Sequence, residues 1–163
     1  MHSRRLRPPY WVLLVLILAL LAPACAVGMT QVLPPVIMQR HDQDCLIASL
    51  AMLGGWSYDE VEVARRVMEV PFVTAGGVVV HEGLRIAATL GTPMVYLPPP
   101  TLGAVPSPRG ILVVTIPGVS SGHAVLIDRD YIFDPKIPYA MPWVLWFHQR
   151  PEATVLGIIV VVP

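Results

Sequence analysis

Residues 39–53 read Gln39-Arg40-His41-Asp42-Gln43-Asp44-Cys45-Leu46-Ile47-Ala48-Ser49-Leu50-Ala51-Met52-Leu53. A polar stretch passes without a break into an apolar one, and Cys45 stands at the boundary. From Asp44 to about Leu53 the composition is helical: Ala, Leu, Met and Ile dominate, and Ser49 is the only polar interruption. A helix apolar on nearly every face belongs in the middle of a domain. Gly54-Gly55 ends it. A cysteine in the first turn of such a helix has unpaired backbone N–H groups and the positive dipole end directed at its sulfur.

Outward from this helix, Ser57-Tyr58-Asp59-Glu60 fits a capping box with acids in the first turn. It predicts a second helix to Met68, with Val61, Val63, Ala64 and Val67 inward, stopped by Pro71. After a turn at Gly76-Gly77, a third helix runs from Val79 or Val80 to Leu90 and closes at Gly91. The second half changes character. Pro93 to Leu97 reads as a short strand, Pro98 to Pro108 as a loop, and Gly110 to Pro117 as a β-rich strand. Gly118 to Gly122 is a turn, and His123–Asp128 pairs with Tyr131–Asp134 as a hairpin about Arg129-Asp130. Trp143 to Phe147 fits helix or strand, and Thr154 to Val162 is a final buried strand. Helices first and strands afterwards predict an α+β fold with an antiparallel sheet.

The 163 residues suit a single domain with a sizeable core. At 55% hydrophobic and 13% charged residues the chain is too apolar to be disordered. Part of the apolar excess lies in residues 1–26. There Arg4, Arg5 and Arg7 precede an uncharged run from Tyr10 to Leu21, followed by Ala22-Pro23-Ala24-Cys25-Ala26. A basic region, a short apolar run and small residues describe a secretory signal peptide. The run alone is shorter than a membrane span needs. Cleavage after Ala24 or Ala26 releases a secreted product, lipid attachment at Cys25 makes a lipoprotein, and retention leaves a membrane anchor. The expectation is an exported, extracytoplasmic protein with a domain at 27–163 that touches the membrane only through its N-terminal segment. Without that segment eight basic side chains face eleven acidic ones, a net charge near −3 that offers nucleic acid no footprint. The Gly pairs lack the lysine of a phosphate loop. His41, His81 and His148 have no paired metal-ligand spacing, so no metal or cofactor is expected.

The reactive side chains concentrate around Cys45. A thiol attacks as thiolate and needs a neighbouring base to become one at neutral pH. His123 is the candidate base: it follows Ser121-Gly122, whose small side chains leave room for a ring, and it opens the apolar run Ala124-Val125-Leu126-Ile127. Asp134, eleven residues on and fixed by Pro135, is the candidate orienter of the ring. Gln39, six residues before the cysteine, can supply an oxyanion donor beside the Cys45 N–H, with Gln43 ranked lower.

These residues carry a resemblance. Gln39 to Cys45, the Ala/Leu/Met helix, Ser121-Gly122-His123-Ala124-Val125 and Ile132-Phe133-Asp134-Pro135 resemble the papain-like cysteine peptidases of the double-glycine leader (bacteriocin-processing) group, over roughly Gln39 to Val162. The resemblance implies a central helix bearing the cysteine, packed on an antiparallel sheet. It also implies a Cys45-His123-Asp134 triad with Gln39 as oxyanion donor, acting on a peptide or protein substrate without cofactor. Leu46 stands where the group has Gly, and a secretion-type segment replaces the usual transporter. What carries over is therefore thiol-dependent acyl chemistry rather than cleavage after Gly-Gly.

Plainer readings compete. CLIASLAML is a core sequence whatever Cys45 does, and a Cys25–Cys45 disulfide is open to an exported chain. Asp42 and Asp44 read as capping carboxylates. Glu60, Glu62, Arg65 and Arg66 read as a solvated helix face, and Trp143, Trp146 and Phe147 as core or groove wall. Two functional alternatives also stand: a thiol-dependent amidase or acyltransferase, and a non-catalytic papain-like module that binds peptide.

Overall fold

The computed structural model describes residues 33–71, 78–99, 109–118 and 122–162, and residues 34–163 belong to one compact unit. The signal segment, Cys25, the Gly76-Gly77 turn and most of the Pro98–Pro108 loop lie outside the described residues. Cys45–Gly54 forms α1, buried from Cys45 to Leu53, and it stops where Gly55 takes the left-handed conformation at φ 74°. Tyr58–Val67 forms α2. Its capping box is complete: Ser57 Oγ accepts from the Glu60 N–H, and Glu60 accepts from the Ser57 N–H. Val80–Thr89 forms α3. It crosses α1 at Gly83, where a Cβ would come within 2.8 Å of Leu46 Cδ2 and would require that side chain to shift.

The strands are β1 (Met94–Leu97), β2 (Gly110–Thr115), β3 (His123–Asp128), β4 (Tyr131–Phe133), β5 (Met141–Pro142) and β6 (Thr154–Val161), with α4 (Trp143–His148) between the last two. They form a six-stranded antiparallel sheet in the order β1-β6-β2-β3-β4-β5. The fold is α+β, as the order of elements in the sequence implies. The two-residue β5 is too short to leave a pattern, and the ambiguous Trp143–Phe147 stretch is helical. The β-branched runs of β2 and β6 pair with each other; β2 is buried from Gly110 to Val114, whereas β6, expected to be buried throughout, is buried only at Gly157–Ile159. Leu112, Val114, Val125, Ile132, Met141 and Ile158 join Trp146 of α4 in one cluster. By the period-two alternation of strands, Ile111, Val113, Ala124, Leu126, Phe133 and Ile159 face the other way, and α1 lies against β2 and β3.

One hydrogen bond sets the depth of α1 on the sheet. Ser49 Oγ–H, one turn after Cys45, donates to the Ala124 carbonyl at 3.1 Å, with both groups buried. It ties the cysteine helix to the residue next to His123. Two expectations fail nearby. Glu62 is not solvated: it is buried and takes hydrogen bonds from Arg65 at 2.7 and 2.8 Å and from Arg66 at 2.8 Å, which offset the cost of its burial. Val63 and Val67, expected inward, are exposed.

Among the described residues no helix is long and apolar enough to cross a membrane. Replacing Ser49 by Ala removes a buried donor, and the variant is expected to lose about 1–3 kcal/mol of unfolding free energy in urea denaturation.

Candidate active site

The polar loop before α1 is held by Asp44. Asp44 occupies the N-cap position but makes no side-chain cap hydrogen bond, which corrects the capping role expected of it. Its carboxylate turns back instead. It accepts from the Arg40 and His41 N–H groups at 3.1 Å and from the Tyr58 hydroxyl, and is fully buried. Burial and then the hydrogen bond to Asp44 push the Tyr58 phenol well above its ordinary pKa, so it stays a donor. Outside, the Arg40 guanidinium lies 4.2 Å over the Tyr58 ring and pairs with Asp59 at 2.6 Å. Residues 40–44 are thus folded onto α2, and the intrahelical bonds of α1 begin with the Ala48 N–H donating to the Asp44 carbonyl. The N–H groups of Cys45, Leu46 and Ile47 stay outside that ladder.

Cys45 is a free thiol, 8% exposed. His123 opens β3 at 4% exposure, and its Nε2 lies 2.9 Å from Asp134 Oδ1. Facing a carboxylate, Nε2 carries the proton and donates, and Cys45 lines the same cleft as the ring. Burial works to lower the imidazole pKa. The hydrogen bonds to Asp134 and Cys45 outweigh it and hold the ring at about 9. Asp134 is driven up by burial and, more strongly, down by His123, the Lys136 N–H and Trp146, and ends below the usual carboxylate range. The structure therefore brings Cys45, His123 and Asp134 together. Asp134 does not face His123 across the ladder, because pairing of β3 with β4 ends at Leu126–Phe133 and the carboxylate reaches diagonally from just beyond it.

Gln39 sits beside this group. Its backbone N–H donates to the Pro135 carbonyl at 3.0 Å, anchoring it next to Asp134. One N–H of its side-chain amide donates to the His41 carbonyl at 2.8 Å, and Oε1 is buried without a partner.

Two residues behind the carboxylate have no counterpart in the sequence reading. Trp146 Nε1–H donates to Asp134 Oδ2 at 2.9 Å in the interior. Arg150 lies 4.6 Å over the Trp146 ring and 3.8 Å from the same Oδ2. Trp146 was readable as core, and it is core, but its indole N–H also serves the site. The only sequence trace of the pairing is the four-residue spacing of Trp146 and Arg150 at the end of α4. Among the described residues no group of three His, Cys, Asp or Glu side chains could hold a metal ion.

A solved structure described as a double glycine motif protease from an AMS/PCAT transporter, in complex with the leader peptide, matches with a TM-score of 0.55. The match covers 79% of this chain and 91% of that one at 20% sequence identity, a likeness of fold. No family model and no curated protein matches the chain. The chain and that protease share a fold at low sequence identity.

Two outcomes follow from the pair. His123 has its pKa raised from about 6.5 to about 9, so its contribution to stability is complete below about pH 6.5 and lost as pH rises through 9. The melting temperature of the wild type is expected to fall across that window, and that of His123→Gln to stay flatter. Trp146→Phe keeps the ring and removes the donor to Asp134. It should cost about 1–3 kcal/mol at neutral pH, and the deficit should shrink below about pH 3.9 as the carboxylate protonates. Urea unfolding across pH checks both the deficit and its closure.

Proposed function

We propose that the protein is a cysteine peptidase that cleaves peptide bonds through Cys45, His123 and Asp134. The observation that carries the reading is the buried hydrogen bond between the His123 ring and Asp134, with Cys45 lining the same cleft as the ring. A sulfur, an imidazole that keeps its proton to about pH 9 and a carboxylate held ionised have little structural reason to be buried together.

In this mechanism the sulfur attacks the scissile carbonyl carbon, and the carbonyl π electrons move to oxygen. The oxyanion is received by the Cys45 N–H, outside the helical ladder, and by the second N–H of the Gln39 amide. The electrons return, the C–N bond breaks, and His123 delivers its Nδ1 proton to the departing amine. Water then attacks the thioester while His123 takes a proton from it. The electrons on the new oxyanion return, the C–S bond breaks with its electrons going to sulfur, the acid leaves and the starting sulfur–imidazole pair is restored. Asp134 keeps the ring oriented throughout and remains ionised. The substrate class is a peptide or protein, as the fold likeness to a double glycine motif protease bound to a leader peptide supports.

Cys45→Ala is expected to lower peptide turnover by at least about 10³-fold. Gln39→Ala should lower kcat by about 10²- to 10³-fold with the fold intact. A fluorogenic peptide assay together with circular dichroism checks both. Activity in Cys45→Ala equal to that of the wild type would remove the enzyme reading.

A further inference from the structure

Beside the sulfur lies a cleft of about 200 Å³, and the chemistry above does not use its walls. Cys45, His123 and Gly122 are among its lining residues. Leu46, Val78, Val79, Val80, Val113 and Ala124 line the rest, with Gln43 the one other polar side chain. Three parts of the fold converge here: the residue directly after the nucleophile, the Val113–Ala124 pair of β2 and β3, and the entry to α3.

Val79 is the telling residue. It is the N-cap of α3, where Ser, Thr, Asn or Asp would satisfy the free N–H groups, and as Val it makes no side-chain cap. It is also 40% exposed, so neither helix stability nor the core accounts for an apolar side chain there. An apolar wall next to a reacting thiol does account for it.

We propose that this cleft receives an aliphatic side chain from the residue next to the scissile bond, so that the preferred substrates carry Val, Leu or Met there rather than glycine. The inference rests on the peptidase reading and narrows its substrate class. Glycine would leave the apolar walls against water, whereas an aliphatic side chain displaces that water. A charged side chain would be desolvated among valines with no charged partner beyond the reacting pair and only Gln43 as another polar side chain.

The test is a panel of internally quenched peptides with Gly, Ala, Val, Leu, Met or Asp at each of the two positions flanking the cleaved bond. At one of them the aliphatic peptides are expected to exceed the Gly peptide about tenfold or more in kcat/KM. Val79→Ser supplies a helix cap while removing the apolar wall, so its melting temperature should hold or rise while the aliphatic-to-Gly ratio falls several-fold. Alkylation of Cys45 by iodoacetamide, which needs no cleft, runs alongside. Faster alkylation than a free thiol combined with a flat side-chain profile, a Gly preference, no cleavage of any panel peptide or an unchanged ratio in Val79→Ser overturns the inference and leaves the thiol chemistry standing. Ordinary alkylation and no cleavage overturn both.

Discussion

The arrangement depends on a charge pair kept out of water. His123 and Asp134 are nearly inaccessible, and burial alone would neutralise both. Each is ionised because the other is, and because the remaining acceptor sites of the carboxylate are filled by the Lys136 and Trp146 N–H groups. A buried pair with one partner missing is strongly destabilising. The placement of α4 therefore follows from Asp134 as much as from the apolar cluster: the helix brings the indole that covers the sheet and the N–H that completes the carboxylate. Arg150, stacked on that indole, adds a positive charge on the far side.

The second constraint is the relation between helix and sheet. A thiol and an imidazole interact only over a hydrogen-bond distance, and they come from elements separated by α2, α3, β1 and β2. Three contacts remove the freedom of α1 to slide or turn. Ser49 bonds to the Ala124 carbonyl, Leu46 packs against Gly83, and Asp44 locks the preceding loop to Tyr58 of α2. The polar loop ahead of the cysteine is thus as rigidly bonded as the helix after it. Pre-set donors and a pre-set sulfur avoid reorganisation when charge develops on a substrate.

Much of this was legible in the sequence, and the boundary is physical. Residue type and short-range order reveal helices and strands: the capping box at Ser57, the Gly54-Gly55 stop and the β-branched runs of β2 and β6 all appear in the structure where the residues put them. Chemistry was legible where reactive types cluster in an order the resemblance recognises, so Gln39, Cys45, His123 and Asp134 could be named before any distance was known. Side chains with two uses could not be read. Trp146 is apolar enough to be core and its N–H is invisible in a composition argument. Glu62 looks solvated until Arg65 and Arg66 fold over it, and Asp44 looks like a cap until its carboxylate turns backwards. In each case the direction a polar group turns decides, toward neighbours on its own helix for Glu62 and toward the preceding loop and Tyr58 for Asp44, and residue type alone does not show it.

Cys45 itself is ambiguous by nature, since a buried cysteine is an ordinary core residue. The polar groups around it support the reading proposed above. Among the described residues the buried polar side chains are Asp44, Ser49, Glu62, His123 and Asp134. Glu62 belongs to a separate cluster with two arginines. The other four bind the loop before Cys45, dock its helix, meet its sulfur and orient the group that meets it. A core selected for stability alone would place apolar side chains at these positions, because a buried polar group at best recovers what its desolvation costs. Four such groups, spread over the loop before Cys45, its helix and the ring that shares its cleft, support the catalytic role proposed for it.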